Sequence, residues 1–391
     1  MLESIALLLL SGFVLGMVMK SFRLPPLLGM LFVGILFGPY VLDWLHLDLL
    51  NISSEIRTFS LLIILIRAGL GIKRHEIQAV GSLAIKMSSL PGLLEGFSIL
   101  FVSYYFFDFS FAEAGMLGFI IAAVSPAVVV PSMLELKSEG YGEDKQIPTL
   151  LLAGTSMDDV FAITIFSFFL SLGTTGDLSI VESVLKIPFS IVLGVLGGLV
   201  IGYLFIKLFD FKRLFHSNVE RLLLLLTGAI GFYTFGEVIG IASLLGIMAI
   251  GFLITDQREK IGVELSTTLL SIWFFAQILL FSLVGAEVNI TVALEAGFMG
   301  LVIIIIGLMF RTLGVFISTI GSALNTKERF FCVLSYLPKA TVQAAIGALP
   351  LASGVEKGPE ILAIAVLSIL LTAPLGAILI KWSAPKLLQK G

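Results

Sequence analysis

Apolar residues in this chain neither alternate nor mark one helical face; they continue for twenty positions at a time and stop at short polar breaks. About 20 mostly apolar residues are what an α-helix needs to cross a bilayer. Sorting the runs by their breaks predicts thirteen such helices, near 2–20, 25–44, 56–73, 77–106, 110–135, 147–171, 184–209, 219–236, 239–255, 264–286, 293–323, 328–350 and 360–382. The connections near 236–239 and 286–293 are the shortest. Two runs are interrupted internally: the fifth by Ser125-Pro126, with Pro131 following, and the twelfth by Leu337-Pro338-Lys339-Ala340. Proline removes a backbone donor and frees a carbonyl one turn back. At membrane depth such freed groups are tolerated only where protein or a watery cavity meets them. Thirteen spans divide as six, one and six, and the single linker helix inverts the second six relative to the first. The fold expected is therefore an all-α integral membrane protein of two inverted six-helix repeats, with a site between discontinuous helices near the midplane.

Composition supports that class. The 391 residues are 58% hydrophobic and 13% charged, against roughly 25% charged in soluble domains; mean hydropathy is +1.09. A net charge of -3 offers no basic face for nucleic acid, and one cysteine, Cys332, excludes a disulfide framework or a cysteine-based metal site. The N-terminal run has no basic segment before it and reads as a first membrane helix rather than a cleaved signal. Seventeen of the 24 lysines and arginines fall in alternate breaks, beginning with Lys20 and Arg23. Basic loops stay cytoplasmic, so the N-terminus is expected outside and the C-terminus in the cytoplasm, in the plasma (cell inner) membrane. The longest cytoplasmic break, 137–146, is too short to fold alone, which leaves no room there for an enzymatic or nucleotide-binding module.

Charged side chains at bilayer depth cost about 2.5–3.5 kcal/mol each on insertion scales and default to function. The sixth run contains Thr155-Ser156-Met157-Asp158-Asp159. Counted from Ile147 at 1.5 Å per residue, Asp158 lies roughly 16 Å into the helix. Adjacent carboxylates point about 100° apart, so each serves a different partner, and Thr155 shares the face of Asp159. Carboxylate, hydroxyl and freed carbonyls together make a hard-oxygen site suited to a small alkali cation. Glu95 in the fourth run and Arg311 in the eleventh are opposite charges in repeat-related helices and are expected to pair. Lys339 follows the second break, where its charge would face the break's carbonyls or the aspartates. Arg67, Lys86, Glu237 and Glu287 lie nearer predicted ends and read as interface or loop groups.

The segment Ala153-Gly-Thr-Ser-Met-Asp-Asp-Val-Phe161 resembles the double-aspartate motif of the cation/proton antiporter superfamily, and the branch it is most similar to is the NHA-type sodium/proton exchangers. Ser125-Pro126-Ala-Val-Val-Val-Pro-Ser-Met133, Leu337-Pro338-Lys339-Ala-Thr-Val-Gln-Ala-Ala-Ile-Gly347 and Leu65-Ile-Arg-Ala-Gly-Leu-Gly71 fit the same branch. The resemblance implies a homodimer with crossed, unwound helices at Ser125-Pro126 and Pro338. It implies a scaffold domain (1–75 and 216–292), a core ion-transport domain (76–175 and 293–391) and a linker helix (176–215). By the same resemblance Asp159 is the ion-binding and proton-carrying aspartate, Asp158 the second aspartate, Thr155 a hydroxyl ligand and Val124 a main-chain carbonyl ligand, with sodium held at Asp158 and Asp159. The chain departs from many double-aspartate relatives in having Arg311 where they carry a lysine. Arginine keeps its charge at any ordinary pH, so it cannot exchange a proton, and if Glu95 neutralises it Asp158 loses its usual partner.

The expected function is secondary-active antiport of sodium or lithium against protons, serving pH homeostasis by alternating access, with cation and proton competing for the buried aspartates and no resident cofactor. The alternatives are a potassium/proton exchanger or another sodium-coupled carrier of related fold. An intramembrane aspartyl protease is disfavoured, because that chemistry needs two aspartates facing each other from separate helices.

Overall fold

The protein is described here from a computed structural model covering residues 1–22, 24–71, 74–175, 180–210 and 217–390. Arg23, Lys73, Lys212 and Arg213, four of the basic loop residues, lie outside the described residues, as does the side chain of Glu237. The described residues are almost wholly helical, and the one β contact among them is an isolated bridge between Tyr141 and Lys390.

In chain order the helices are α1 (Leu2–Ser21), α2 (Pro26–Phe37), α3 (Leu47–Asn51), α4 (Ser53–Gly71), α5 (Arg74–Phe106), α6 (Phe111–Ala122), α7 (Pro126–Glu139), α8 (Ile147–Thr175), α9 (Ile180–Asp210), α10 (Asn218–Ile239), α11 (Ser243–Gln257), α12 (Glu259–Ala286), α13 (Ile290–Glu295), α14 (Gly297–Ser318), α15 (Thr326–Ser335), α16 (Thr341–Ile346), α17 (Leu349–Ala352) and α18 (Gly358–Leu387). Among the described residues seven helices are long and apolar enough to cross a membrane, and shorter apolar helices accompany them.

Where boundaries differ from the hydropathy reading, a backbone rule accounts for it. The second apolar run continues to residue 44, yet α2 stops at Phe37. Pro39 follows Gly38, and a residue before proline is pushed out of the helical region; Gly38 is extended at φ -66°, ψ 172°. The eleventh run begins four residues before α14, because Asn289 caps a separate short helix, α13, by accepting from the N–H groups of Thr291 and Val292. Within α5, Gly81 takes φ +58°, ψ -143°, a conformation open to glycine alone.

The chain divides into two compact units. One comprises Glu55–Glu76 and Thr175–Gln277. Its α9 and α11 pack backbone to backbone: a Cβ on Gly194 or Gly198 would strike the carbonyl of Ala242 or Gly246. Small residues four apart permit this approach, which is how helices associate where lipid offers no hydrophobic drive.

The other unit comprises Met1–Ser54, Ile77–Thr174 and Ile278–Gly391 and holds both interrupted runs. Pro126 at the first position of α7 confines Ser125 to extended geometry, so Ala123–Ser125 separate α6 from α7. Pro338 disfavours the helical region for Leu337 in the same way, and residues 336–340 separate α15 from α16. The two interruptions meet: the Ser125 N–H donates to the Pro338 carbonyl at 2.8 Å.

Both broken runs also start alike. α6 opens with a reciprocal cap between Ser110 and Glu113, and α15 with one between Asn325 and Glu328. Each capping glutamate then reaches the start of the long helix that follows the other broken run. Glu113 Oε1 accepts from the Lys357 N–H at 3.0 Å, just before α18. Glu328 takes the Lys145 ammonium at 2.8 Å, just before α8.

Candidate functional site

The freed backbone of the first break is almost fully claimed by side chains. A helix leaves its last four carbonyls unpaired, and proline at 126 removes one further donor. Gln343 Nε2, from α16, donates to the carbonyls of Ile120 at 2.8 Å and Ala123 at 2.9 Å, with Ile121 at 3.4 Å. Arg311, from α14, donates through Nη2 to the carbonyl of Ala122. The Val124 N–H donates to Asp158 Oδ2 at 2.8 Å. The second break is handled differently. The Lys339 N–H donates to Thr372 Oγ1 of α18 at 2.9 Å, and the Lys339 ammonium lies fully buried beneath it.

Five ionisable side chains converge here. Glu95 Oε2 accepts from Arg311 Nε and from Lys339 Nζ, the latter at 2.6 Å. Arg311 Nη2 also stands 3.6 Å from Asp158 Oδ2, and its guanidinium lies 5.7 Å from the ring centroid of Tyr336. All of these groups are buried. Charges removed from water are tolerated only when paired and hydrogen-bonded, and four of the five have an ion-pair partner. Asp159, at 6% exposure against 1% for Asp158, is the carboxylate of the three without one among the described residues; its Oδ1, like Asp158 Oδ1, Glu95 Oε1 and Arg311 Nη1, also lacks a hydrogen-bond partner there.

The expected pair of Glu95 and Arg311 is present. Two expectations about its neighbours change. Pairing with Glu95 does not strip Asp158 of a basic neighbour, because the guanidinium lies between the two carboxylates and serves both. Lys339 turns to Glu95 rather than to the break's carbonyls or the aspartates; the Pro338 carbonyl of its own break is taken by the Ser125 N–H, and Glu95 offers the ammonium a ready-made anion. Thr155 is fully buried and donates to the Leu151 carbonyl at 2.8 Å. Its hydroxyl proton stays within α8, and the oxygen lone pairs remain available on the Asp159 face. Val124 places its N–H on Asp158; no donor among the described residues is assigned to its carbonyl. Ser125 Oγ lies 3.4 Å from Thr341 Oγ1, tying the two breaks a second time. Of the peripheral charges, Lys86 is exposed, Arg67 half-buried, and Glu287 accepts from Ser53 at 2.7 Å.

Gln343 and Tyr336 escaped the sequence reading as site residues, and Thr372 escaped it as the backbone cap of the second break. The signal for Gln343 was present, since a glutamine inside an apolar run must find partners, but nothing local names carbonyls 220 residues away.

Three comparisons bear on this arrangement. Residues 5–384 match the family described as sodium/hydrogen exchanger, transmembrane. The chain is 36% identical over 386 residues to sodium/hydrogen exchanger 9B2 of Mus musculus, covering 94% of this chain and 69% of that protein. It is 32% identical over 380 residues to sodium/hydrogen exchanger 9B1 of Homo sapiens, covering 94% and 73%. Among solved structures, the sodium proton antiporter MjNhaP1 from Methanocaldococcus jannaschii at pH 8 is similar with a TM-score of 0.84 over 99% of this chain and 98% of that one; at 17% identity this is a likeness of fold.

Proposed function

This chain belongs to the sodium/hydrogen exchanger family, and on that premise we propose that it exchanges one sodium or lithium ion for one proton at Asp159. It is a multi-pass membrane antiporter, not an enzyme. The observation that carries the one-for-one reading is the charge count of the buried cluster. Glu95, Asp158 and Asp159 oppose Arg311 and Lys339, so the fully ionised cluster carries one net negative charge. One alkali cation neutralises it, and so does one proton. Leaving the charge bare in the barrier is costly, so the cluster crosses only when loaded with one or the other, and that penalty couples the two fluxes.

In this reading Asp159 binds the cation through its unpartnered carboxylate oxygen, with Thr155 Oγ1, the Val124 carbonyl and Asp158 completing a hard-oxygen shell. Asp158 keeps its place through the Val124 N–H and Arg311. Glu95 holds Arg311 and Lys339 as fixed counter-charges. Alternating access moves the core (76–175 and 293–391) as a body against a dimeric scaffold (1–75 and 216–292), with 176–215 as linker. Thirteen spans in two inverted repeats are supported by the matched caps of α6 and α15. They are also supported by cross-pairs at one separation, since Glu95–Arg311 and Ser125–Thr341 are each 216 residues apart. The orientation that fits the basic loops has the N-terminus outside and the C-terminus inside the plasma (cell inner) membrane.

The test is proton movement in proteoliposomes on addition of sodium, lithium or potassium, with membrane potential clamped and unclamped. One-for-one exchange gives sodium- and lithium-driven flux at the same rate in both conditions. A rate that follows the potential would mean more than one proton per cation and would overturn the charge count. Proton movement driven by potassium alone would favour the potassium exchanger.

A further inference from the structure

We propose that Gln343 is a positioning residue that sets cation selectivity, by withholding the carbonyls of the first break from the ion. The inference rests on the antiport reading above and adds a residue to it. Four carbonyls in succession, Ile120 to Ala123, lie at the end of α6 beside the candidate site. Left free, they would form a dense cluster of oxygen dipoles within the membrane. Three of them face Gln343 Nε2 and the fourth faces Arg311 Nη2. The next carbonyl, Val124, is the one to which no donor among the described residues is assigned.

The orientation of the Gln343 amide is fixed by its surroundings. Reversing it would set Oε1 against the carbonyl oxygens of Ile120 and Ala123, acceptor against acceptor. The side chain is fully buried, and Oε1 has no partner among the described residues. A buried acceptor left unpaired costs free energy, so the amide is placed by what its NH2 group does.

That placement matters for selectivity. Which alkali cation a site prefers depends on how many carbonyl dipoles can reach it and how strongly they act. A few fixed oxygens suit a small ion; additional mobile carbonyls suit a larger one. Arg311 already commits Nη2 to Ala122 and Asp158 and Nε to Glu95, and only its Nη1 lacks a partner among the described residues, so it cannot replace every bond that Gln343 makes. Removing the Gln343 amide therefore releases at least one carbonyl toward the site.

The experiment measures half-saturating sodium, lithium and potassium in proteoliposomes for the wild type, Gln343→Met, Gln343→Asn and Thr372→Val. Methionine keeps the length of the side chain and loses its donors. Asparagine keeps the donors one methylene short. Thr372→Val removes a cap at the other break and reports structural damage alone. The expected result is a rise of about tenfold in the preference for potassium relative to sodium in Gln343→Met, which corresponds to ~1.4 kcal/mol. Gln343→Asn should show a smaller rise, and Thr372→Val should keep the wild-type ratio. If Gln343→Met does not fold, the asparagine variant decides. A ratio unchanged in the folded glutamine variants, or shifted equally by Thr372→Val, overturns the inference and leaves Gln343 as a helix cap. Absence of sodium-driven proton movement in the wild type would instead remove the antiport reading itself.

Discussion

The two helix breaks are made by the same device, a proline that expels its predecessor from the helix, yet they are furnished in opposite ways. The first, Ala123–Ser125, carries no charge of its own. Its carbonyls are covered by Gln343 and Arg311, and its amides point at Asp158 and Pro338. The second, residues 336–340, brings its own cation, Lys339, and its backbone is met by Thr372 and by the Ser125 N–H. The contrast teaches a division of labour between corresponding elements. In the mechanism we propose, one break presents oxygen to an ion, while the other supplies the fixed positive charge that keeps the surrounding carboxylates from repelling each other.

That division can be attacked at several points. The hardest test is Asp159→Asn. It leaves both breaks intact and removes the one carboxylate the cluster does not use internally, so sodium-driven proton flux should fall to background while the protein remains folded by size-exclusion and thermal melting. Wild-type-like flux would move the ion site elsewhere. In the wild type, a cation and a proton sharing one carboxylate compete by mass action. Apparent sodium affinity should weaken as pH falls, approaching about tenfold per pH unit at the acid end, the ratio that ~1.4 kcal/mol represents. An affinity flat between roughly pH 5.5 and 8.5 would end the shared-carboxylate mechanism, because no proton could then be leaving that site as sodium enters.

Next in size is the counter-charge network. Glu95→Gln strands Arg311 and Lys339 together, and stranding a buried charge typically costs about 3–5 kcal/mol. Melting in detergent should drop accordingly, and the double variant Glu95→Gln, Arg311→Gln should recover part of the loss. Strict additivity in that cycle would mean the two do not interact. Smaller still is Thr372→Val, which leaves the Lys339 N–H without an acceptor at about 1–3 kcal/mol and should lower the melting temperature without altering ion preference. The smallest effect belongs to Asp210→Asn. Asp210 pairs with Arg258 at 2.8 Å, but both side chains are well exposed, so neither melting nor exchange should change measurably.

How much of this was legible beforehand follows from the range of each cause. The interruptions at Ser125-Pro126 and Pro338 could be read because proline acts on its immediate neighbours. The aspartates could be read because two carboxylates deep in an apolar run are too expensive to be incidental. The end of α2 could also have been read from Gly38-Pro39, but continuous hydropathy through Val41 and Leu42 hid it. What the chain did not disclose is who meets whom across the repeats. The Glu95 and Arg311 pair follows from opposite charge in matched helices. The acceptor of Lys339 does not, because three carboxylates are in reach and only packing selects Glu95 among them. Gln343 and Tyr336 act on groups supplied by distant elements, and no local pattern records that.

The hydrogen bond from Ser125 to Pro338, with the cap that Glu113 extends to Lys357, has a consequence for how the molecule is made. A ribosome adds about 5–20 residues per second. Ser125 and Thr341 are separated by 216 residues, so the first break reaches the bilayer ~10–40 s before its acceptor exists. For most of that interval the carbonyls of α6 have neither Gln343 nor Arg311, and Glu113 has no Lys357. The first half of the chain is thus an unfinished structure during synthesis, one that the insertion machinery or water must shelter until the second half arrives. Truncations that end before Pro338 should for this reason be cleared by the cell rather than accumulate as stable half-proteins.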